Sequence, residues 1–149
     1  MIRALMLIAV LAAPPAAQAQ EAVAAPPAFA PVEAAAADLA ALRHVARPVV
    51  VFADTPDDPA FAEQMRLLSA RWAELAERGV VVITDTDPAA ASAVRTALRP
   101  RGFSLVVIDR DGLVALRKPF PWDAREIMRA IDRMPDRREE LRNDRAGQG

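Results

Sequence analysis

Apolar residues follow two rhythms along this chain. Residues 49–53 (VVVFA), 80–84 (VVVIT) and 104–109 (SLVVID) are continuous, β-branched runs. Runs of that length and composition predict strands covered on both faces of a sheet. Between the first two, Phe61, Met65, Leu68, Trp72 and Leu75 recur at steps of four and three. That period predicts one helix over residues 58–78 with a single apolar face, Glu74 and Arg78 being spaced for an ion pair on the polar side. Asp58-Pro59 opens it as cap and first turn, and Gly79 closes it. Asp87-Pro88 repeats the entry signal for a helix reaching Leu98, with Ala91, Val94 and Leu98 turned inward.

After the third run, DRDG at 109–112 has hairpin-turn chemistry, and residues 113–118 return as a fourth strand ended by Pro119 and Pro121. Ile127, Ile131 and Met134 predict an amphipathic helix over 123–134, and the charged tail beyond it reads as a solvated, fraying helix. Ahead of the first strand, residues 33–45 predict a short helix with Leu39 and Leu42 inward, stopped at Arg47-Pro48. The class is therefore α/β, in the order β-α-β-α-β-β-α. A mixed four-stranded sheet with helices on both faces is expected, the element order of the thioredoxin core.

The 149 residues leave room for one such domain and its flanks. Residues 1–19 read as a signal peptide: Arg3, an apolar run over 4–13, then Ala17-Gln18-Ala19. That run is shorter than the roughly 20 apolar residues a membrane span needs. Cleavage after Ala19 and a periplasmic location are expected, with no stable membrane span afterwards. Residues 20–32 are rich in Ala and Pro and read as a disordered linker, 33–142 as the folded domain, and 143–149 as a disordered tail. A net charge of −1, with basic and acidic residues interleaved, argues against a nucleic-acid partner.

The chain has no cysteine. Disulfides, thiol nucleophiles and cysteine metal sites are excluded, and the fold must stand on its apolar core. His44 is the only histidine, so no two-histidine metal site can form. It is expected at the end of the first helix, favourably placed against the helix dipole.

RPVVVFA at 47–53, GFSLVVIDRDGLVALR at 102–117 and IDRMPDRREELR at 131–142 together resemble the DUDES-type domain family. The resemblance spans about residues 43–142. It implies an exported, thioredoxin-like domain without the thiol pair, of the kind found in bacterial proteins and in extracellular sushi-repeat proteins. It transfers no catalytic residue.

A thioredoxin-like reading draws attention to the turn after the first strand, where Asp54, Thr55, Pro56, Asp57, Asp58 and Pro59 stand in place of reactive thiols. Depending on register, the thiol positions fall on Asp57 and Ala60 or on Pro56 and Pro59; neither offers sulfur. The proline usual before the third strand corresponds to Ser104, with Phe103 beside it. Asp54, Asp57 and Asp58 have two readings, a divalent-cation cluster or a capped helix start, and capping is preferred because the helix dipole opposes a cation there. Asp85 and Asp87 likewise read as a cap or as the start of a magnesium phosphatase motif, but Lys118, the only lysine, lies on an apparent edge strand. Arg137 and Arg138 read either as part of a solvated helix or as contacts for an acidic partner, and Trp122 as sheet-edge packing or a ligand platform.

No catalytic residue, metal site or cofactor is therefore assigned. The candidate binding residues are Asp54, Thr55, Asp57, Asp58, Phe103, Ser104, Arg137 and Arg138. The expected role is a binding or accessory module for a protein, peptide or glycan of the cell envelope; the alternative is a metal-dependent hydrolase using acids at the strand ends.

Overall fold

Side chains of the first long strand alternate between two separate cores, and this organises the domain. The computed structural model describes residues 25–148; the expected signal peptide and its cleavage point lie outside them. In β2 (Arg47–Phe52), Val49 and Val51 face one core, and Val50 and Phe52 the other. Both faces are covered, which is why the run is apolar at every step.

The sheet has five strands rather than four, in the order β1-β3-β2-β4-β5. Here β1 is Val32–Glu33, β3 is Val80–Asp85, β4 is Ser104–Ile108 and β5 is Val114–Lys118. β1 and β2 lie parallel to β3, while β4 runs antiparallel to β2 and forms a hairpin with β5. The added strand places Val32 and Glu33 opposite Ile83 and Thr84, so the ordered fold begins inside the segment expected to be a linker. Phe29 packs edge-on against Trp72 with ring centres 5.3 Å apart. Two residues are too few to show a period of two, which hid β1 among the alanines.

The helix expected at 33–45 is broken for a local reason. A 3₁₀ turn at Ala34–Ala36 follows β1, and Asp38 then starts α1 (Leu39–Leu42) afresh by accepting from the N–H groups of Ala40 and Ala41. His44 stands beyond the helix end at φ 62°, 3.6 Å from Asp111.

α2 (Pro59–Ala70) and α3 (Trp72–Ala76) replace the expected single helix, with an interruption at Arg71. The apolar steps persist across it because Phe61, Met65, Leu68, Trp72 and Leu75 pack on one core. Arg78 does not pair with the Glu74 carboxylate. It binds Asp132 with two hydrogen bonds of 2.9 Å, and Glu74 pairs with Arg71. Gly79 takes φ +68°, and its carbonyl accepts from the N–H of Arg47. A Cβ there would stand 3.1 Å from the Arg110 guanidinium.

The helix expected at 87–98 is also two pieces. Asp87 caps a 3₁₀ turn at Pro88–Ala90, Ala91 turns outward at φ +45°, and Ser92 caps α4 (Ala93–Leu98). Ala91 is exposed rather than inward; Val94 is buried and Leu98 half-buried.

α2, α3 and α5 (Ala124–Asp132) cover one face of the sheet, and α1 and α4 cover the other. Ile127, Ile131 and Met134 are buried as their spacing predicts. α6 (Pro135–Ala146) has no buried residue and is held by ion pairs. Among the described residues no helix is long and apolar enough to cross a membrane.

Candidate functional site

The turn after β2 is a capped helix entry. Asp58 accepts from the Ala60 N–H at 2.8 Å, and Thr55 Oγ1 accepts from the Asp57 N–H at 3.2 Å. Asp54 and Asp57 are exposed. Their carboxylates are not drawn together, and no cluster of three potential metal ligands occurs among the described residues.

The second acidic motif splits in use. Asp87 caps a turn, whereas Asp85 is buried at the end of β3 and wholly engaged. Its Oδ1 accepts from Arg95 Nε at 3.0 Å and Nη2 at 2.8 Å, and its Oδ2 accepts from Ser92 Oγ at 2.6 Å. Burial pushes this carboxyl up, but the bonds from Arg95 and Ser92 outweigh it and hold it below the ordinary carboxylate value. Arg95 also reaches the Ala53 carbonyl at 2.9 Å and lies 5.3 Å from the Phe52 ring centre. This carboxylate already has its cation, and the pair fastens the ends of β2 and β3 to α4.

Phe103 and Ser104 open onto something different. Ser104 is buried opposite Phe52 at the start of β4, and Phe103 packs partly on the core. Beside them is a groove of about 530 Å³, lined by Leu98, Phe103, Ser104 and Pro119 together with Arg99, Arg101 and Arg117. Two segments supply the arginines, the connection from α4 to β4 and the edge strand β5. Arg99 caps the C-terminal end of α4 at φ +47°, Arg101 lies on the approach to β4, and Arg117 belongs to β5. Arg117 Nη2 donates to the Leu98 carbonyl at 2.8 Å, which ties the edge strand to α4 across the groove. The residues at 54–58 do not line it, so the two halves of the expected surface adjoin through the Phe52–Ser104 pairing without forming one pocket.

Arg137 and Arg138 stand elsewhere. Arg137 donates to Glu140 at 3.0 Å and lies 3.8 Å from Asp132, while Arg138 is exposed. They belong with Arg47, at the opposite end of β2 from Ser104, about 17 Å away at strand rise. Arg47 is fully buried and donates to Asp136 at 2.6 Å, to Glu140 at 2.8 Å and to the Arg78 carbonyl at 2.7 Å. Burial pushes Glu140 up, but Arg47 and Arg137 pull it further down, so it stays ionised. Trp122 packs at the sheet edge with Lys118 Nζ 4.6 Å over its ring, and its backbone exchanges two hydrogen bonds with buried Gln64.

Arg99, Arg101 and Arg117 escaped the sequence reading because Arg117 lies 16 residues beyond Arg101 on a separate strand and joins the other two only in the fold. The available signal was RPRGF at 99–103, two arginines around a proline and followed by glycine, in a connection between a helix and a buried strand.

The strand order, the parallel β2-α2-β3 unit and the antiparallel hairpin define a thioredoxin-like α/β domain, here without a cysteine. The chain belongs to the family described as Domain of unknown function (DUF4174), which matches residues 38–140. The DUDES-type designation is not part of that match. Among solved structures, the chain is similar to a chloroplastic thioredoxin z at 24% identity and a TM-score of 0.45, over 58% of this chain and 76% of the other. No curated protein matches it.

Proposed function

We propose that this protein is an exported binding module of the cell envelope, working through the groove beside Phe103 and Ser104 and without chemistry of its own. The signal-like N-terminus and the resemblance to exported DUDES-type domains support the location. The groove carries the functional half: it is concave and largely apolar, and three cationic groups converge on it, the composition expected of a ligand site. Of the strand-end acids, Asp58 and Asp87 are spent on caps and Asp85 on Arg95, while Asp54 and Asp57 stand exposed and apart.

Capture from envelope extract by the immobilised protein tests this. The expected result is a partner retained by the wild type and by Arg138→Gln, and lost when Phe103→Ser is combined with Arg101→Gln. Capture indifferent to the groove changes would overturn the reading. Fractionation of the producing cell, with N-terminal sequencing expected to begin at Gln20, tests export separately.

A further inference from the structure

Building on the groove reading above, we propose that the groove receives an extended acidic peptide segment. Its carboxylates pair with Arg99, Arg101 and Arg117, and an apolar side chain seats against Leu98, Phe103 and Pro119.

The charge distribution is the first ground. Arg47, Arg78, Arg95 and Arg137 each have a carboxylate within 4 Å. Among the described residues Arg99, Arg101 and Arg117 have none, and no acidic side chain lines the groove. Other arginines without such a partner, Arg125 and Arg138 for example, stand at separate places; Arg99, Arg101 and Arg117 are exposed like them but share one groove. Three guanidinium forks at one groove add up to a positive field at its mouth and match the planar geometry of carboxylates. Arg117 gives one donor to the Leu98 carbonyl and keeps the others for a ligand. Arg99 projects from a left-handed backbone position that a non-glycine residue occupies at a cost, and such positions tend to gather at binding sites.

Shape is the second ground, and it favours a chain over a compact ligand. Pro119 lines the groove, and the next residue, Phe120, is 54% exposed. Leu113 and Val114, at the other end of β5, are 66% and 46% exposed. Exposed apolar side chains thus stand at both ends of the edge strand, one of them next to the groove. Full strand addition to β5 is disfavoured, because its pairing with β4 is irregular near Val107 and Ile108, and Lys118 and Pro119 end it. Recognition therefore runs through side chains in the groove. A symmetric pairing of this edge with that of a second copy fits poorly, because it would bring Arg117 and Lys118 against the same cations with no acid opposite.

Fluorescence anisotropy with a dye-labelled peptide alternating Glu and Leu tests the assignment on the protein as purified from its producing cell. Binding is expected, weakening about 5- to 10-fold for each of Arg99→Gln, Arg101→Gln and Arg117→Gln. It should also weaken with added salt and be unchanged in Arg138→Gln. Circular dichroism melts establish that the variants fold. Equal binding of the same peptide with Gln for Glu, retained affinity in the three variants, or tighter binding of an oligothymidylate would each overturn the proposal. If the acidic peptide fails while envelope capture still depends on Phe103, the ligand class is wrong and the groove reading stands. If capture is also indifferent to Phe103, both fall.

Discussion

Arg47, fully buried at the first position of β2, donates a 2.6 Å hydrogen bond to Asp136 of α6. The same guanidinium reaches Glu140 one turn further on and the Arg78 carbonyl. α6 buries no side chain of its own, so this guanidinium, with Arg110 beside it on Glu140, is what fastens the last helix to the sheet. Removing one member of a buried ion pair leaves the remaining charges uncompensated, typically at about 3–5 kcal/mol. Arg47→Ala is expected to lose about 3 kcal/mol in urea unfolding, the lower end because Asp136 and Glu140 retain some access to water. Hydrogen exchange should rise first in residues 135–146 while β2 stays protected. Uniform exchange across the chain would contradict an anchoring role.

Asp85 and Glu140 make the fold acid-sensitive in a defined direction. For Asp85 burial is opposed by Arg95 and Ser92, and for Glu140 by Arg47 and Arg137; in both the net shift is downward. A carboxyl with a folded pKa below its unfolded one binds more protons when unfolded, so its stabilisation is present above the unfolded value. It is lost as pH falls through the folded one. Stability should therefore hold through neutral pH and decline below about pH 4. Asp85→Asn should cost about 2–3 kcal/mol at neutral pH, and the gap from wild type should narrow as the solution is acidified. Urea midpoints across an acid series check this. A gap that widened toward low pH would reverse the sign and refute it.

Gln64 shows how a polar residue can occupy a core position when its hydrogen bonds offset its desolvation. It is fully buried on α2, and its amide accepts from the Trp122 N–H at 2.8 Å and donates to the Trp122 carbonyl at 3.1 Å. Gln64→Leu keeps the volume but leaves that backbone pair unsatisfied, for an expected loss of about 2–3 kcal/mol. Gln64→Glu at neutral pH keeps an acceptor, loses the donor and buries a charge, so it should be worse still. Thermal unfolding of the two variants ranks them; Gln64→Leu as stable as wild type would show that water replaces the amide.

Burial on both faces made the middles of β2, β3 and β4 legible, since successive positions there are all apolar, while polar residues stand only at the strand ends. Asp58 was legible as a cap because its partner, Ala60, is two residues away. Arg47 was not, because Asp136 and Glu140 lie 89 and 93 residues further along, and no local pattern marks a charge for burial. Local spacing also misled where competing geometry won. The Glu74–Arg78 spacing suits an ion pair, yet Arg78 finds a two-pronged partner in Asp132 of α5. The groove belongs to the same class of long-range effect: Phe103 and Ser104 could be picked out from their place before a strand. The arginines beside them come from the α4–β4 connection and from β5, and acquire a common site only once α4 and β5 close on each other.

Arg99 and Ala91 offer a way to separate what the backbone needs from what the groove needs. Both hold left-handed conformations, at φ +47° and +45°, and both flank α4. Left-handed backbone costs a residue with a Cβ roughly 1–2 kcal/mol, and glycine returns part of that gain through the greater freedom of its unfolded chain. Each glycine substitution is therefore expected to raise stability by about 0.5–1 kcal/mol. If the residue at 99 serves only as a helix terminus, Ala91→Gly and Arg99→Gly should be indistinguishable in every assay. If its guanidinium serves the groove, the two variants should gain stability alike while only Arg99→Gly loses affinity for the acidic peptide. Denaturant midpoints and peptide anisotropy on the same two preparations decide between these outcomes, and unchanged binding by Arg99→Gly would remove Arg99 from the site.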